Sequence, residues 1–505
     1  MKRTGYRSLA AASLAAALVS AAVGARPARR PHYGGTLRVE MQETVSSLDP
    51  ATLVSDSAGA AAIEKLMALV FDTLTRFDEV GSPQASLASS WSVGGDRKTW
   101  MFFLRDGVNF TDGTALSPAE IAPLLRVIHP DWQVTGGITR SGSVSSGWIE
   151  ISTKNPRPDI PAELAAPRNS IVHHGADGAI AGTGPFRIAE WQPGRRAVFA
   201  ANEDSWEGRP FLDSIEVQMG RAAREQVIDV EVGRADLVEI PPEQARRAAE
   251  HGTRIWASEP TQLFALVFAS GRLAAEDQRV REALSDSIDR AALANFVLQK
   301  EAEPAGGLLP QWLSGYEFMF PTTADPAHGR EIISQISPLP STLLLGYDLS
   351  DALGQAVAER IAVNASDAGI RVSTKGMAPG QTSGVDARVV RLRMTSPDLQ
   401  VALEGYLSML GVQPSLPATV ATHENLYNRE RDVLENFRIV PLIHVPEVFG
   451  LSSRLKDWMP ARWGKWRLAD AWLDSAASPT ATGSLSAPPR NHLADASERI
   501  AGVQR

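Results

Sequence analysis

The sequence predicts an α/β fold divided into two or three lobes, and three observations carry that expectation. Segments of strand period alternate with segments of helical period along most of the chain. The 505 residues, 44% hydrophobic and 21% charged, have an ordinary globular composition and suffice for more than one core. Several turn and cap signals stand at the boundaries between these segments, and no internal repeat is visible.

Thr36 to Met41 reads as the first strand, and Ala58 to Leu74 as a helix with apolar residues at helical spacing. Thr99 to Leu104 is a strand that runs into Arg105-Asp106-Gly107-Val108-Asn109-Phe110-Thr111-Asp112-Gly113-Thr114-Ala115-Leu116-Ser117-Pro118-Ala119-Glu120. Its two Asp-Gly pairs supply the positive φ of tight turns, and Val108 and Phe110 alternate between them as a short strand does. Ser117 is placed as an N-cap, Pro118 as the first helical residue, and Glu120 where a capping box requires an acid. The helix so started runs from Ser117 to Ile128, with Pro123 expected to kink or shorten it. Residues 131 to 180 are Gly-rich around one strand, Trp148 to Ile151.

Phe186 to Glu190 and Arg196 to Ala200 form a hairpin across Pro193-Gly194, followed by a strand from Ser214 to Met219. A helix from Arg221 to Val232 leads to Ala235-Asp236-Leu237-Val238, and a helix from Glu243 to Glu250 follows Pro241-Pro242. Val280 to Val297 reads as one helix. Thr342 to Tyr347 (strand), Asp351 to Ala368 (helix) and Arg371 to Thr374 (strand) predict an open α/β sheet in this part of the chain. From Ser475 onward the chain is rich in Ala, Ser, Pro and Thr, so residues 476–505 are expected to be a disordered tail.

Lys2, Arg3 and Arg7 precede an apolar run from Leu9 to Val23, and Val23-Gly24-Ala25 offers small residues for cleavage. Residues 1–25 therefore read as a signal peptide cut near Ala25, shorter than the ~20 residues of a membrane-spanning helix. With no cysteine, the chain has no disulfide, no thiol nucleophile and no lipidated anchor, which predicts a freely diffusing exported protein. Its formal net charge of −8 becomes −11 when the three basic leader residues are removed. Nucleic acid is thereby excluded as a partner, because phosphate neutralisation needs a concentrated basic face. Arg26, Arg29 and Arg30, beside Pro27 and Pro31, read as a solvated leader.

Motifs that carry chemistry are wanting. His173-His174 is a poor metal pair, because neighbouring residues point different ways and no third ligand stands at a useful spacing. Gly182-Thr183-Gly184-Pro185-Phe186 lacks the lysine and helix of a phosphate loop, and Ser141-Gly142-Ser143 lacks the flanks of a nucleophile elbow. No cofactor, metal or catalytic residue is expected, and the chain is read as not an enzyme. Trp458, Trp463, Trp466 and Trp472 are expected to pack the C-terminal segment onto the first lobe.

Five blocks carry a resemblance: Ser47-Leu48-Asp49-Pro50-Ala51; the run from Leu104 to Glu120; Gly182 to Phe186; Asn202-Glu203-Asp204-Ser205-Trp206-Glu207-Gly208-Arg209-Pro210-Phe211-Leu212-Asp213; and Asp277 to Leu284 closing on Ile288-Asp289-Arg290. In this order they resemble the large periplasmic solute-binding proteins of ABC importers (family 5), which include oligopeptide-, dipeptide- and nickel-binding proteins. The resemblance implies a periplasmic-binding-protein-like α/β architecture: two lobes, a hinged cleft between them and an extra subdomain in the first lobe. The first lobe would comprise residues 34–75, 180–265 and 440–475, its subdomain 76–179, and the second lobe 266–439. The implied protein is a periplasmic monomer that captures a peptide or peptide-sized polar solute and hands it to ABC permease subunits at the inner membrane. Reuse of the fold as a sensor or chaperone-like binder is the alternative, and a secreted hydrolase a remoter one.

The resemblance also selects ligand-reading positions. Relatives pair the loop after the first strand with the ligand backbone, which points to Thr44, Val45 and Ser46. The crossover into the second lobe points to Gln262 and to Phe264, whose other reading is a core aromatic. Peptide binders carry an Arg, a Gly-Trp pair and an amine-binding Asp where this chain has Val389, Leu392 and Thr395, so amine recognition by a carboxylate is weakened there. Asp398 stands a few residues on, and Arg391 and Arg393 are placed to face an anionic ligand.

Overall fold

The computed structural model describes residues 30–474, apart from 53–59, 79–80, 142–143, 158, 177, 298–301, 317–318, 338–340, 379, 395, 413–421 and 459–465. The expected signal peptide and C-terminal tail lie outside the described residues. Among those described, no helix is long and apolar enough to cross a membrane.

One 11-stranded sheet runs through both lobes. From one edge its order is Phe186–Gln192, Arg196–Ala201, Ser214–Gln218, Thr36–Glu40, Leu237–Glu239, Ile439–Leu451, Arg254–Phe268, Ala387–Arg393, Leu343–Asp348 and Val372–Met377, with Glu303–Pro304 on the side of Ile439–Leu451. The two long strands, Arg254–Phe268 and Ile439–Leu451, are antiparallel and shared by both halves. Their ladder is irregular between Ala257 and Gln262, where Pro260 faces Pro446. Neither proline has an N–H to give, so the ladder breaks at this crossover. There the Ser258 hydroxyl accepts the Glu447 N–H at 2.9 Å.

A core around Leu37, Leu66, Phe199, Val217 and Phe449 fills one half of the sheet. A second core, on the other half, is built around Phe264, Leu266, Leu284, Leu345, Val357 and Ile361. Trp458 and Trp466 join the first core beside Phe449, and the Trp472 indole donates to Asp457 at 2.6 Å; Trp463 lies outside the described residues. A separate four-stranded sheet, Ala88–Val93, Thr99–Leu104, Val144–Ser152 and Gln133–Ser141, has its own core with helix Pro118–Ile128. The Gly-rich stretch that offered one strand thus supplies a hairpin of two.

The Asp-Gly motif shapes this smaller unit. Gly107 and Gly113 have φ of +73° and +90°, while Val108 and Phe110 are buried between the turns. The expected capping box does not form: Ser117 makes no side-chain cap bond, and the Glu120 carboxylate instead accepts from His173 Nδ1 at 2.9 Å. Pro123 does not end the helix, which continues to Ile128. The segment from Val280 to Val297 is not one helix. Helix Gln278–Ser287 stops at extended Ile288, and Asp289 caps a new turn by accepting from the Ala292 N–H. Arg290 dictates the break, because its buried guanidinium donates to the Ser285, Pro321 and Pro441 carbonyls and the Ser285 hydroxyl.

The remaining blocks are packing devices. Gly184 N–H donates to the Val70 carbonyl at 2.9 Å, and Asp72 accepts from Thr183 at 2.9 Å and from the Trp206 indole at 2.9 Å. Two distant blocks therefore seal the end of helix Ala60–Val70.

His129, buried against Trp132, bonds through Nε2 to Asn169 Oδ1 at 2.7 Å, and burial pushes its pKa down to about 4. A histidine held neutral binds fewer protons folded than unfolded, so its stabilising contribution is complete above about pH 6.5 and is lost as pH falls toward 4. Urea unfolding across this window is expected to show wild type losing up to about 3 kcal/mol relative to His129→Asn. Parallel profiles for the two proteins would refute this.

Candidate functional site

Arg391 and Arg393 are two residues apart on strand Ala387–Arg393, so both point from the same face. The neighbouring strand sets Phe264 opposite Arg391 and Gln262 opposite Arg393. Glu447, from strand Ile439–Leu451, and Glu64 and Lys65, from helix Ala60–Val70, close the group.

Arg393 is consumed by the protein itself. Its Nε donates to Glu447 at 3.1 Å and its Nη1 to Glu64 at 2.7 Å. Lys65 Nζ continues the chain to Glu239 at 2.8 Å and Glu447 at 3.6 Å, and lies over the rings of Phe449 and Trp466. Charge alternates along Glu64, Arg393, Glu447, Lys65 and Glu239. Burial raises the Glu447 carboxyl, but the charges of Arg393 and Lys65 outweigh it and hold the pKa below its ordinary value. Burial likewise acts to lower Arg393, and Glu447 and Glu64 more than reverse it.

Arg391 is differently placed. Its Nε donates to the Gln262 amide oxygen at 2.7 Å and its guanidinium lies 5.4 Å from the centre of the Phe264 ring. The nearest carboxylate, Asp351, is 3.7 Å away, and 39% of the Arg391 side chain is exposed. Burial and Glu239 raise the pKa of Glu43, and burial raises that of Glu243; the charge of Arg391 acts in the opposite direction on both. An amide and a ring thus orient a partly exposed guanidinium, within electrostatic range of the carboxyl groups of Glu43 and Glu243. Such an arrangement can take a carboxylate on Arg391 and a cationic or hydrogen-donating group on Glu43 or Glu243.

The other expected positions divide. Thr44 and Ser46 are exposed, but Val45 is fully buried in the first core and its carbonyl accepts the Gly194 N–H at 2.8 Å. Phe264 is fully buried, a core aromatic that supports Arg391 from below. Gln262, 8% exposed, orients Arg391 and also donates to Glu447 at 3.4 Å. Thr395 lies outside the described residues, and Asp398 caps helix Leu399–Met409 by accepting from the Val401 N–H. Sequence reasoning missed Glu64, Lys65, Glu239, Glu243, Asp351 and Glu447. The one legible signal was Glu447, a carboxylate inside a strand buried along its whole length.

Residues 82–425 match the family described as bacterial extracellular solute-binding proteins, family 5 Middle. An uncharacterised protein of Bacillus subtilis, YhjP, is 31% identical over 36% of this chain and 32% of its own length. The nickel-binding periplasmic protein of Escherichia coli is 24% identical over 59% of this chain and 61% of its own. The matches thus span from about a third to about three-fifths of these relatives. The oligopeptide-binding protein AppA of Bacillus subtilis, solved with a nonapeptide, superposes with a TM-score of 0.72 over 88% of this chain and 100% of that one, at 16% identity, a likeness of fold. The fold expected from the five blocks is the one found, and this chain belongs to family 5 of the bacterial extracellular solute-binding proteins.

Proposed function

We propose that this chain captures a peptide or peptide-sized polar solute between its two lobes and delivers it to the permease of an ABC importer. The observation that carries the reading is Arg391, an oriented and partly exposed guanidinium within electrostatic range of Glu43 and Glu243. Membership of a family of binding proteins supports it, as does the break of the shared strands at Pro260 and Pro446, where a hinge can bend. Arg391 would read a ligand carboxylate, the Thr44 and Ser46 backbone the ligand's main chain, and Glu43 or Glu243 a donor group. Arg393 would hold the lobes rather than touch solute. The reading carries with it export to the periplasm with cleavage near Ala25, action as a monomer, and no bond made or broken in the solute.

Native mass spectrometry of protein purified without refolding is expected to show small peptide-mass adducts, lost or strongly reduced in Arg391→Ala at unchanged thermal stability. No adduct in wild type, together with no thermal shift across a peptide and sugar library, would overturn the reading.

A further inference from the structure

We infer that Arg388 anchors a site for a small organic carboxylate on the sheet face turned away from the second core. Arg388 stands three residues before Arg391 on strand Ala387–Arg393, so the two point from opposite faces. Their surroundings differ as well. Arg391 is oriented by Gln262, and Arg393 is bound by Glu64 and Glu447. Arg388, half-buried, has no hydrogen bond or ion pair among the described residues. Burial lowers the pKa of its guanidinium, and no neighbouring charge acts on it. A cation desolvated without a partner is costly until an anion joins it.

The sheet leaves room beside it. On this face, helices Leu399–Met409 and His423–Leu434 pack on Leu263, Ala265 and Leu392. The next position of that face on the neighbouring strand is Val267, directly opposite Arg388, and it belongs to neither cluster of the two that fill this half of the sheet. A recess of about 260 Å³ opens there, with Val267, Ser270, Thr382, Val385 and Arg388 in its lining. Gly346 flanks Arg388 on the other side, and Val385 stands 3.2 Å from where a Cβ on it would lie, so an apolar wall reaches the strand position next to the guanidinium. Among the described residues no acid lines the recess.

One uncompensated guanidinium in an otherwise neutral, partly apolar recess suits a monoanion with a hydrocarbon body. The planar fork of Arg388 can take a carboxylate through paired hydrogen bonds, and Val267 and Val385 can cover the apolar part. The volume falls short of the ~300 Å³ at which pockets for drug-sized ligands begin, so the occupant is of the size of benzoate rather than of a peptide. Because it lies on the other face of the sheet, this site is distinct from that of Arg391.

The test is a fluorine NMR titration of 4-fluorobenzoate with full-length wild type, Arg388→Gln and Arg391→Ala. A saturable site is expected in wild type, kept in Arg391→Ala and weakened at least about tenfold in Arg388→Gln. The alcohol 4-fluorobenzyl alcohol, with the same ring and no charge, should not compete for it. Thr382→Glu, a change at an exposed position that offers the recess a carboxylate of the protein's own, should weaken binding as well. No saturable binding to wild type, equal affinity in wild type and Arg388→Gln, or equal competition by the alcohol overturns the proposal. Should Arg388→Gln fail to fold, unchanged affinity in Thr382→Glu overturns it instead. Binding lost in Arg391→Ala but kept in Arg388→Gln would belong to the other arginine and overturns it too, whereas peptide adducts at Arg391 do not enter this readout.

Discussion

Arg393→Ala is expected to lower the free energy of unfolding by about 3–5 kcal/mol, the cost of leaving buried charge without its partner. Two carboxylates lose their counter-charge at once: Glu64 at 2.7 Å and Glu447 at 3.1 Å. Only 17% of the Arg393 side chain, 13% of Glu64 and 5% of Glu447 is exposed, so neither water nor salt can replace the guanidinium effectively. Because Glu64 belongs to helix Ala60–Val70 and Arg393 to strand Ala387–Arg393, the loss also loosens one half of the molecule from the other. Urea unfolding of Arg393→Ala, Glu64→Gln and the double variant should give a favourable coupling energy that persists in high salt. A stability within about 1 kcal/mol of wild type would place this pair among solvent-screened ion pairs and remove its role at the lobe junction.

Gly182→Ala should be comparably severe, about 3 kcal/mol or more, for a steric reason. A Cβ at Gly182 would lie 1.9 Å from the Val70 carbonyl oxygen and 2.6 Å from the Phe71 ring, and the first of these is backbone that cannot swing aside. Gly107→Ala is the contrast. Its Cβ would meet nothing within 4 Å, so only the cost of φ +73° remains, on the order of 1–2 kcal/mol. Thermal unfolding of both variants separates the two causes. A midpoint for Gly182→Ala equal to or above that of Gly107→Ala would show that the Gly182 to Phe186 segment does not press on the helix end.

Where elements were readable, the information was local. Strand Thr99–Leu104 has the limits its apolar residues announced, and the two Asp-Gly turns form with the positive φ that glycine permits. Where reading failed, a distant group had intervened. Glu120 left its capping box for His173, and Arg290 broke a helix to reach carbonyls as far along the chain as Pro441. The ligand-facing positions suffered most, because Val45 and Phe264 look alike as binding residues and as core residues until packing is known.

The family, the alternation of strands and helices and the turns around Gly107 and Gly113 were determined by the sequence alone, since they depend on residues a few positions apart. Tertiary structure decided which of two arginines on one strand face is committed to the protein and which stays partly exposed. Arg393 meets Glu64 from 329 residues away, whereas Arg391 stops on Gln262 and Phe264 with its outer face exposed. No spacing rule reaches that far; a charge separated by hundreds of residues finds its partner only when the sheet brings the two strands and the helix together.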